Sequence, residues 1–109
     1  MKNNNQQIII SKTLQILYKI NNNNNIFLIF GISNCKYCNN SKDLLNLNFL
    51  QYKFYNVEKY RNIFISILHE LNNFDNNLNI DLSHQTFPAI FYNQKFIGGY
   101  TQLEKFIKK

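Results

Sequence analysis

The chain's two cysteines stand three positions apart in Cys35-Lys36-Tyr37-Cys38, within FLIFGISNCKYC over 27–38. A pair at this spacing supports three chemistries: a redox dithiol, half of a metal site, or two small hydrophobes packed together. The redox reading has the most direct physical basis. At the start of a helix, Cys-x-x-Cys places both sulfurs on one face of the first turn, within bridging reach. The first sulfur then meets unpaired backbone N–H groups and the positive end of the helix dipole, and both favour the nucleophilic thiolate. Thiol pKa values in such motifs fall from ~8.5 to roughly 3.5–7.5. Lys36 adds positive charge beside the first sulfur and tunes it in the same direction. On this reading Cys35 is the nucleophile, and Cys38, one turn deeper, resolves a mixed disulfide formed on it.

A metal site needs more ligands than the pair supplies. The only histidines, His69 and His84, lie fifteen apart and far from the cysteines. That does not match the short His-x₃₋₅-His spacing of a zinc module. They read instead as a residue at a helix boundary and a loop residue, and no metal ligand set is assigned. The packed-pair reading is disfavoured by position, because sheet proteins place ligands beyond the C-terminal end of a strand, where this pair stands.

The elements that must hold the pair follow from periodicity and punctuation. Ile10, Leu14, Leu17 and Ile20 at helical spacing predict an amphipathic helix over about 8–20, ended by the loop Asn21 to Asn25. The continuous apolar run 26–30 predicts a strand buried on both faces. Gly31 to Asn34 is a turn, with Ser33 or Asn34 as cap of a helix over about 35–47. That helix turns Tyr37, Leu44 and Leu45 to the core and Lys42 and Asp43 to water. A strand over 52–57 and a helix over about 59–73 follow, the latter carrying Ile63, Ile67, Leu68 and Leu71, with Phe64 close by. After an irregular segment, TFPAIFY and QKFIGG read as two strands of a tight hairpin through Asn93-Gln94. The last ten residues form a helix with Thr101 and Glu104 as a capping box. The order α-β-α-β-α-β-β-α gives a four-stranded mixed sheet with helices on both faces.

Composition bounds the rest. At 109 residues and 45% hydrophobic, the chain suits one domain over 1–109. Its net charge of +6 comes from basic residues spread along the chain, with only Lys108-Lys109 adjacent. No basic stripe with interleaved aromatics marks a nucleic-acid partner, and no apolar run approaches the ~18 residues of a membrane span. The N-terminus lacks the pattern of a secretory signal, so a reducing, cytoplasmic setting is expected. The abundance of Asn, Ile, Lys, Phe and Tyr suggests AT-biased coding, which makes many surface asparagines drift without a chemical role. For a viral source, the setting becomes host cytoplasm or virion. It also makes the three glycines and one proline informative, since each is expected where the backbone cannot do without it.

Three motifs in order resemble the glutaredoxin family of the thioredoxin fold, from about Ile26 to the C-terminus. CKYC is similar to the family's Cys-Pro-Tyr-Cys, with Lys36 for proline. TFP, Thr86 to Pro88, resembles its Thr-Val-Pro, whose proline is cis. FIGGYTQL resembles its Phe-Ile-Gly-Gly-x-Ser/Thr-Asp-Leu. The resemblance implies a glutathione-dependent thiol-disulfide oxidoreductase acting on protein disulfides and glutathione mixed disulfides through Cys35 and Cys38. It implies no tightly bound cofactor, glutathione as co-substrate, and a monomer. The glutathione subsite it implies comprises Tyr37, Phe87, Pro88, Gly99, Tyr100, Thr101 and Gln102, with the γ-glutamyl carboxylate on the N–H groups of Tyr100 and Thr101. Two positions depart from the family: Ile32 stands where a lysine meets the glycyl carboxylate, and Gln102 where an aspartate meets the amino group. Each loss is expected to cost roughly 1–3 kcal/mol of recognition, with Lys36, Lys53 or Lys95 as compensating cations. Two alternatives stay open: recycling by a thioredoxin-reductase-type partner, or a [2Fe–2S] cluster shared by two subunits.

Overall fold

A computed structural model of the protein describes residues 3–108. Met1, Lys2 and Lys109, which the sequence places within the single domain and at the end of the last helix, lie outside the described residues. The elements are α1 (Asn3–Asn21), β1 (Phe27–Gly31), α2 (Lys36–Leu47), β2 (Tyr52–Asn56), α3 (Phe64–Phe74), β3 (Ala89–Tyr92), β4 (Lys95–Gly98) and α4 (Tyr100–Lys108). Short 3₁₀ segments cover Glu58–Ile63 and Asn76–Leu78. The sheet order is β2-β1-β3-β4, with β1 and β2 parallel and the other two pairings antiparallel.

The continuous apolar character of β1 has its reason in two cores. Leu28 and Phe30 face one, with Ile16 and Ile20 of α1, Phe64, Ile67, Leu68 and Leu71 of α3, and Phe91 of β3. Phe27 and Ile29 face the other, with Leu45 of α2, Ile90 of β3 and Leu103 of α4. Strand side chains alternate between faces, so a strand covered on both sides must be apolar at every position. β1 is central and is held in place from both sides, which fixes where its C-terminal end delivers the chain.

Several sequence expectations shift. The first helix begins at Asn3, and its buried face is Ile9, Thr13, Ile16 and Ile20, while Ile10 and Leu14 are exposed. Thr13 hid that face from an apolar count. It is tolerated in the core because its hydroxyl donates to the Ile9 carbonyl at 2.6 Å, one turn back. The helix expected over 59–73 is a 3₁₀ turn followed by α3, and the strands expected from Thr86 and Gln94 start at Ala89 and Lys95. Lys42 does not simply face water, since its ammonium sits 3.8 Å from the centroid of the Phe54 ring.

The asparagines also do more than drift allows. Asn25, Asn34, Asn79 and Asn93 all adopt positive φ, as do Gln94 and Phe49, whereas among the glycines only Gly98 does. Asparagine tolerates the left-handed region better than other non-glycine residues, so in this glycine-poor chain it fills the turn positions. Asn93 and Gln94 together make the hairpin turn, and the Gln94 amide donates to Asn24 Oδ1 at 2.6 Å. The asparagine loop is thereby tied to the hairpin.

Phe49 is the costly member of this set. It closes α2, with its N–H on Asn46 O at 3.1 Å and the Leu50 N–H on Leu45 O at 2.9 Å, the pattern that normally ends in glycine. Its φ is 57° and its side chain is 95% exposed. Phe49→Gly is expected to raise stability by about 0.5–1 kcal/mol, the ~1–2 kcal/mol left-handed penalty less the entropy glycine loses on folding. A higher denaturation midpoint at unchanged m checks this. A lower midpoint would show that the exposed ring stabilises the fold.

Candidate active site

β1 ends at Gly31, and the chain turns through Ile32, Ser33 and Asn34 into α2. The turn is pinned from the far side of β2. The Ser33 N–H donates to Glu58 Oε1 at 3.2 Å, and Asn56 Nδ2 donates to Ser33 Oγ at 3.1 Å. The hydrogen bond from the Arg61 guanidinium, 2.9 Å from Glu58 Oε2, outweighs the opposing desolvation and, with the Ser33 N–H, holds that carboxyl below its ordinary value. Gly31 is required here for space: a Cβ would lie 2.7 Å from Cys38 Sγ and 2.8 Å from the Phe54 ring.

The cap of α2 is Cys35 itself, where the sequence pointed to Ser33 or Asn34. Its sulfur accepts from the Cys38 N–H at 3.1 Å, while Ser33 is engaged by Asn56 and Asn34 turns left-handed. The two cysteines form a disulfide with their Cα atoms 5.2 Å apart. Cys35 is half-buried at the surface and Cys38 only 1% exposed. A sulfur that accepts a backbone N–H at a helix amino end is one whose negative charge is stabilised. The first cysteine thus reaches the surface and the second is shielded behind it.

Across from the pair lies the loop before β3. Its Phe87-Pro88 peptide is cis, and the Phe87 carbonyl is 3.9 Å from Cys35 Sγ. The Phe87 ring packs on Phe64, with centroids 5.4 Å apart, so the loop rests on the α3 core. A groove of about 540 Å³ runs from Tyr37 past Phe87 to Gly99, Tyr100, Thr101 and Gln102. A cavity of about 630 Å³ at the opposite end of the sheet, lined by Ile26, Phe49, Tyr52 and Lys53, is remote from the sulfurs.

Tyr37 is 52% exposed and belongs to this groove, not to the core; its ring is 5.9 Å from that of Tyr100. Lys36 lies with its ammonium 5.7 Å from the Tyr37 ring centroid. At the far end, α4 starts at Tyr100, ahead of the expected Thr101 cap, and Gln102 Oε1 accepts the Gly99 N–H at 2.9 Å. Gln102 therefore performs the reaching-back half of a capping box, while Glu104 pairs with Lys108 at 3.8 Å. The first-turn N–H groups of Tyr100 and Thr101 have no acceptor within the helix, and both residues line the groove. Gly98 turns into α4 at φ 124°, which a side chain would make strained.

The cations named as substitutes for a lysine at 32 are dispersed. Lys53 binds Asn23 Oδ1 at 2.9 Å and Lys95 binds the Asn77 carbonyl at 2.7 Å. Ile32 is half-buried against the α1–α3 core, so this position adds apolar packing where a lysine would add charge.

Sequence reasoning missed one side of the groove. His84, read as a plain loop residue, has Nε2 3.2 Å from the Pro88 carbonyl. A carbonyl only accepts, so Nε2 carries the proton. The ring also stacks edge-on to Phe96 at 5.2 Å and reaches to within contact of Gly99. It joins the proline loop to the Gly98–Gly99 turn. Asp81 and Ser83 line the same wall, and the Ser83 hydroxyl donates to Asp81 Oδ1 at 2.7 Å. That hydroxyl, then the Ser83 N–H and the nearby His84, hold the Asp81 carboxyl below its ordinary value. The one available signal was nearness in sequence to Pro88.

Among the described residues no three His, Cys, Asp or Glu side chains gather as a metal site, and no helix is long and apolar enough to cross a membrane.

A strand–turn–helix that delivers a dithiol beside a cis-proline loop, on a β2-β1-β3-β4 sheet with helices on both faces, defines a dithiol protein of the thioredoxin fold. The glutaredoxin family model matches residues 27–97 of the chain. The chain belongs to the glutaredoxin family. It is 32% identical over 81 residues to a probable glutaredoxin of Acanthamoeba polyphaga mimivirus, covering 74% of this chain and 76% of that protein. Among solved structures, the dithiolic glutaredoxin of Trypanosoma brucei brucei is 28% identical with a TM-score of 0.58, over 85% of this chain and 86% of its own. A buckwheat glutaredoxin–glutathione complex shares the fold at a TM-score of 0.66 and 20% identity, over 92% and 83% of the two chains. The protein is therefore a glutaredoxin-type dithiol oxidoreductase, dependent on glutathione, with a Cys-x-x-Cys active site.

Proposed function

We propose that the protein reduces both protein disulfides and glutathione mixed disulfides, with Cys35 as nucleophile and Cys38 as resolving thiol. The observation that carries this is the placing of Cys35 Sγ on the amino end of α2, 3.1 Å from the Cys38 N–H and 3.9 Å from the carbonyl of Phe87, a residue that lines the groove. Facing a glutathionylated protein, the Cys35 thiolate attacks the glutathione sulfur. The old S–S bond breaks, and the protein leaves as a thiolate that takes a proton from water. A second glutathione thiolate attacks the glutathione sulfur held on Cys35, giving oxidised glutathione and the free thiolate. Facing a protein disulfide, Cys35 forms the mixed disulfide and Cys38 attacks the Cys35 sulfur, which releases the reduced protein and leaves the Cys35–Cys38 bond. Two glutathiones then return the pair to dithiol, and two electrons move in each cycle.

The glutathione lies along the groove. Its γ-glutamyl carboxylate meets the N–H groups of Tyr100 and Thr101, at the positive end of α4. Its cysteinyl backbone pairs with Phe87 beside Pro88, as an added strand does. Tyr37 and Tyr100 flank it, and Gly99 allows close approach. Lys36 adds positive charge near Cys35. Thiol exchange needs no tightly bound cofactor, and the protein works as a monomer where glutathione is kept reduced, which is the cytoplasm.

The experiment couples turnover of a glutathione mixed disulfide to NADPH oxidation, once through glutathione and its reductase and once through thioredoxin reductase. Turnover is expected with the first. Turnover with the second alone would overturn the assignment of glutathione as reductant.

A further inference from the structure

We propose that Asp81, on the loop before β3, receives the α-amino group of the γ-glutamyl substrate. The inference rests on the glutathione reading above and deepens it. In that pose the α-carboxylate sits on the first turn of α4, and the amino group, on the same carbon, must find its acceptor in the groove wall nearby. Position 102 does not supply a charge. Gln102 is neutral, and its oxygen already accepts the Gly99 N–H at 2.9 Å. Among the described residues that line the groove, Asp81 is the one acidic side chain, and Gly99, Thr101 and Gln102 line the same groove.

Asp81 is also prepared for the role. Ser83 donates twice to Oδ1, from its hydroxyl at 2.7 Å and its N–H at 3.0 Å, which fixes the carboxylate while Oδ2 takes no hydrogen bond among the described residues. His84, the nearest titratable neighbour, is bound to the Pro88 carbonyl and holds this loop against Gly99. A primary ammonium brings several donors, and an oriented carboxylate in a partly enclosed groove is a matching acceptor. The recognition charge is thus moved from the last helix to the loop before β3.

The test compares kcat/KM for a glutathione mixed disulfide and for the same compound built on glutaryl-cysteinyl-glycine, which lacks only the α-amino group. Wild type is expected to prefer the amino compound by roughly tenfold or more, the worth of a hydrogen bond between charged groups, with the difference in KM. Asp81→Asn, which preserves shape and can keep both Ser83 bonds, is expected to lose that preference. Adding Gln102→Asp to Asp81→Asn is expected to restore it by returning a carboxylate to α4. An Asp81→Asn protein that keeps the wild-type ratio overturns the assignment of Asp81 alone. Wild type without glutathione-dependent turnover of either compound overturns the reading beneath it.

Discussion

Cys35→Ser is expected to abolish thiol-disulfide turnover, by about a thousandfold or more, the scale seen when a nucleophile is removed. Cys38→Ser is expected to retain turnover of glutathione mixed disulfides and to lose reduction of protein disulfides. The asymmetry follows from burial and bonding. Cys35 holds the surface position and accepts the Cys38 N–H at 3.1 Å, whereas Cys38 is 1% exposed and shielded behind it. Only the exposed sulfur can meet a protein substrate, and only the inner one is close enough to displace it. The same geometry predicts that alkylation of the reduced protein reports Cys35, with a midpoint well below the ~8.5 of a free thiol. A midpoint near that value, or Cys35→Ser retaining turnover, would rule out the proposed nucleophile.

Phe64→Ala is expected to cost about 3–5 kcal/mol, as truncating a fully buried aromatic does. Phe64 is 1% exposed and packs on Phe30 and Phe87, with ring centroids 6.2 and 5.4 Å apart. Phe30 is held in turn by Phe91 at 5.9 Å, so the space left cannot close without moving β1. Against a typical total of about 5–15 kcal/mol, this is a large share. The lost ring also removes the support beneath Phe87, so KM for disulfide substrates is expected to rise with it. Urea denaturation at unchanged m measures the first effect and steady-state kinetics the second. A loss below about 1 kcal/mol would show that the proline loop does not depend on this core.

Where the sequence spoke clearly, its signals were local. The apolar run 26–30, the glycine and the cysteine spacing all act within one strand, one turn and one helix start, and the structure keeps them together at the end of β1. The positions of Pro88 and Gly98-Gly99 were equally legible, since rare residues in this composition mark special backbone, and the structure shows a cis peptide and a positive φ there. The first helix was legible as a helix but only half in its orientation: Leu17 and Ile20 do meet the core, while Ile10 and Leu14 do not. Ile10 and Leu14 satisfy the helical period as well as Ile9 and Ile16 do, and the buried Thr13 does not look apolar. The left-handed turns were missed because asparagine serves them where glycine would have announced them.

By itself, then, the sequence determined the dithiol and the kind of site around it, together with the sheet that aims it. Each of these depends on neighbours within a few residues, and backbone preference and alternation record such neighbours directly. Tertiary structure alone decided the far wall of the groove. It brought Asp81, Ser83 and His84 into one groove with Gly99 and Thr101, committed Gln102 to the Gly99 N–H, and sent Lys53 and Lys95 to other partners. Those contacts join segments far apart along the chain, or depend on which of several acceptors a flexible side chain meets. No local period encodes that choice, because it is made by the packing of loops that the core merely brings into range.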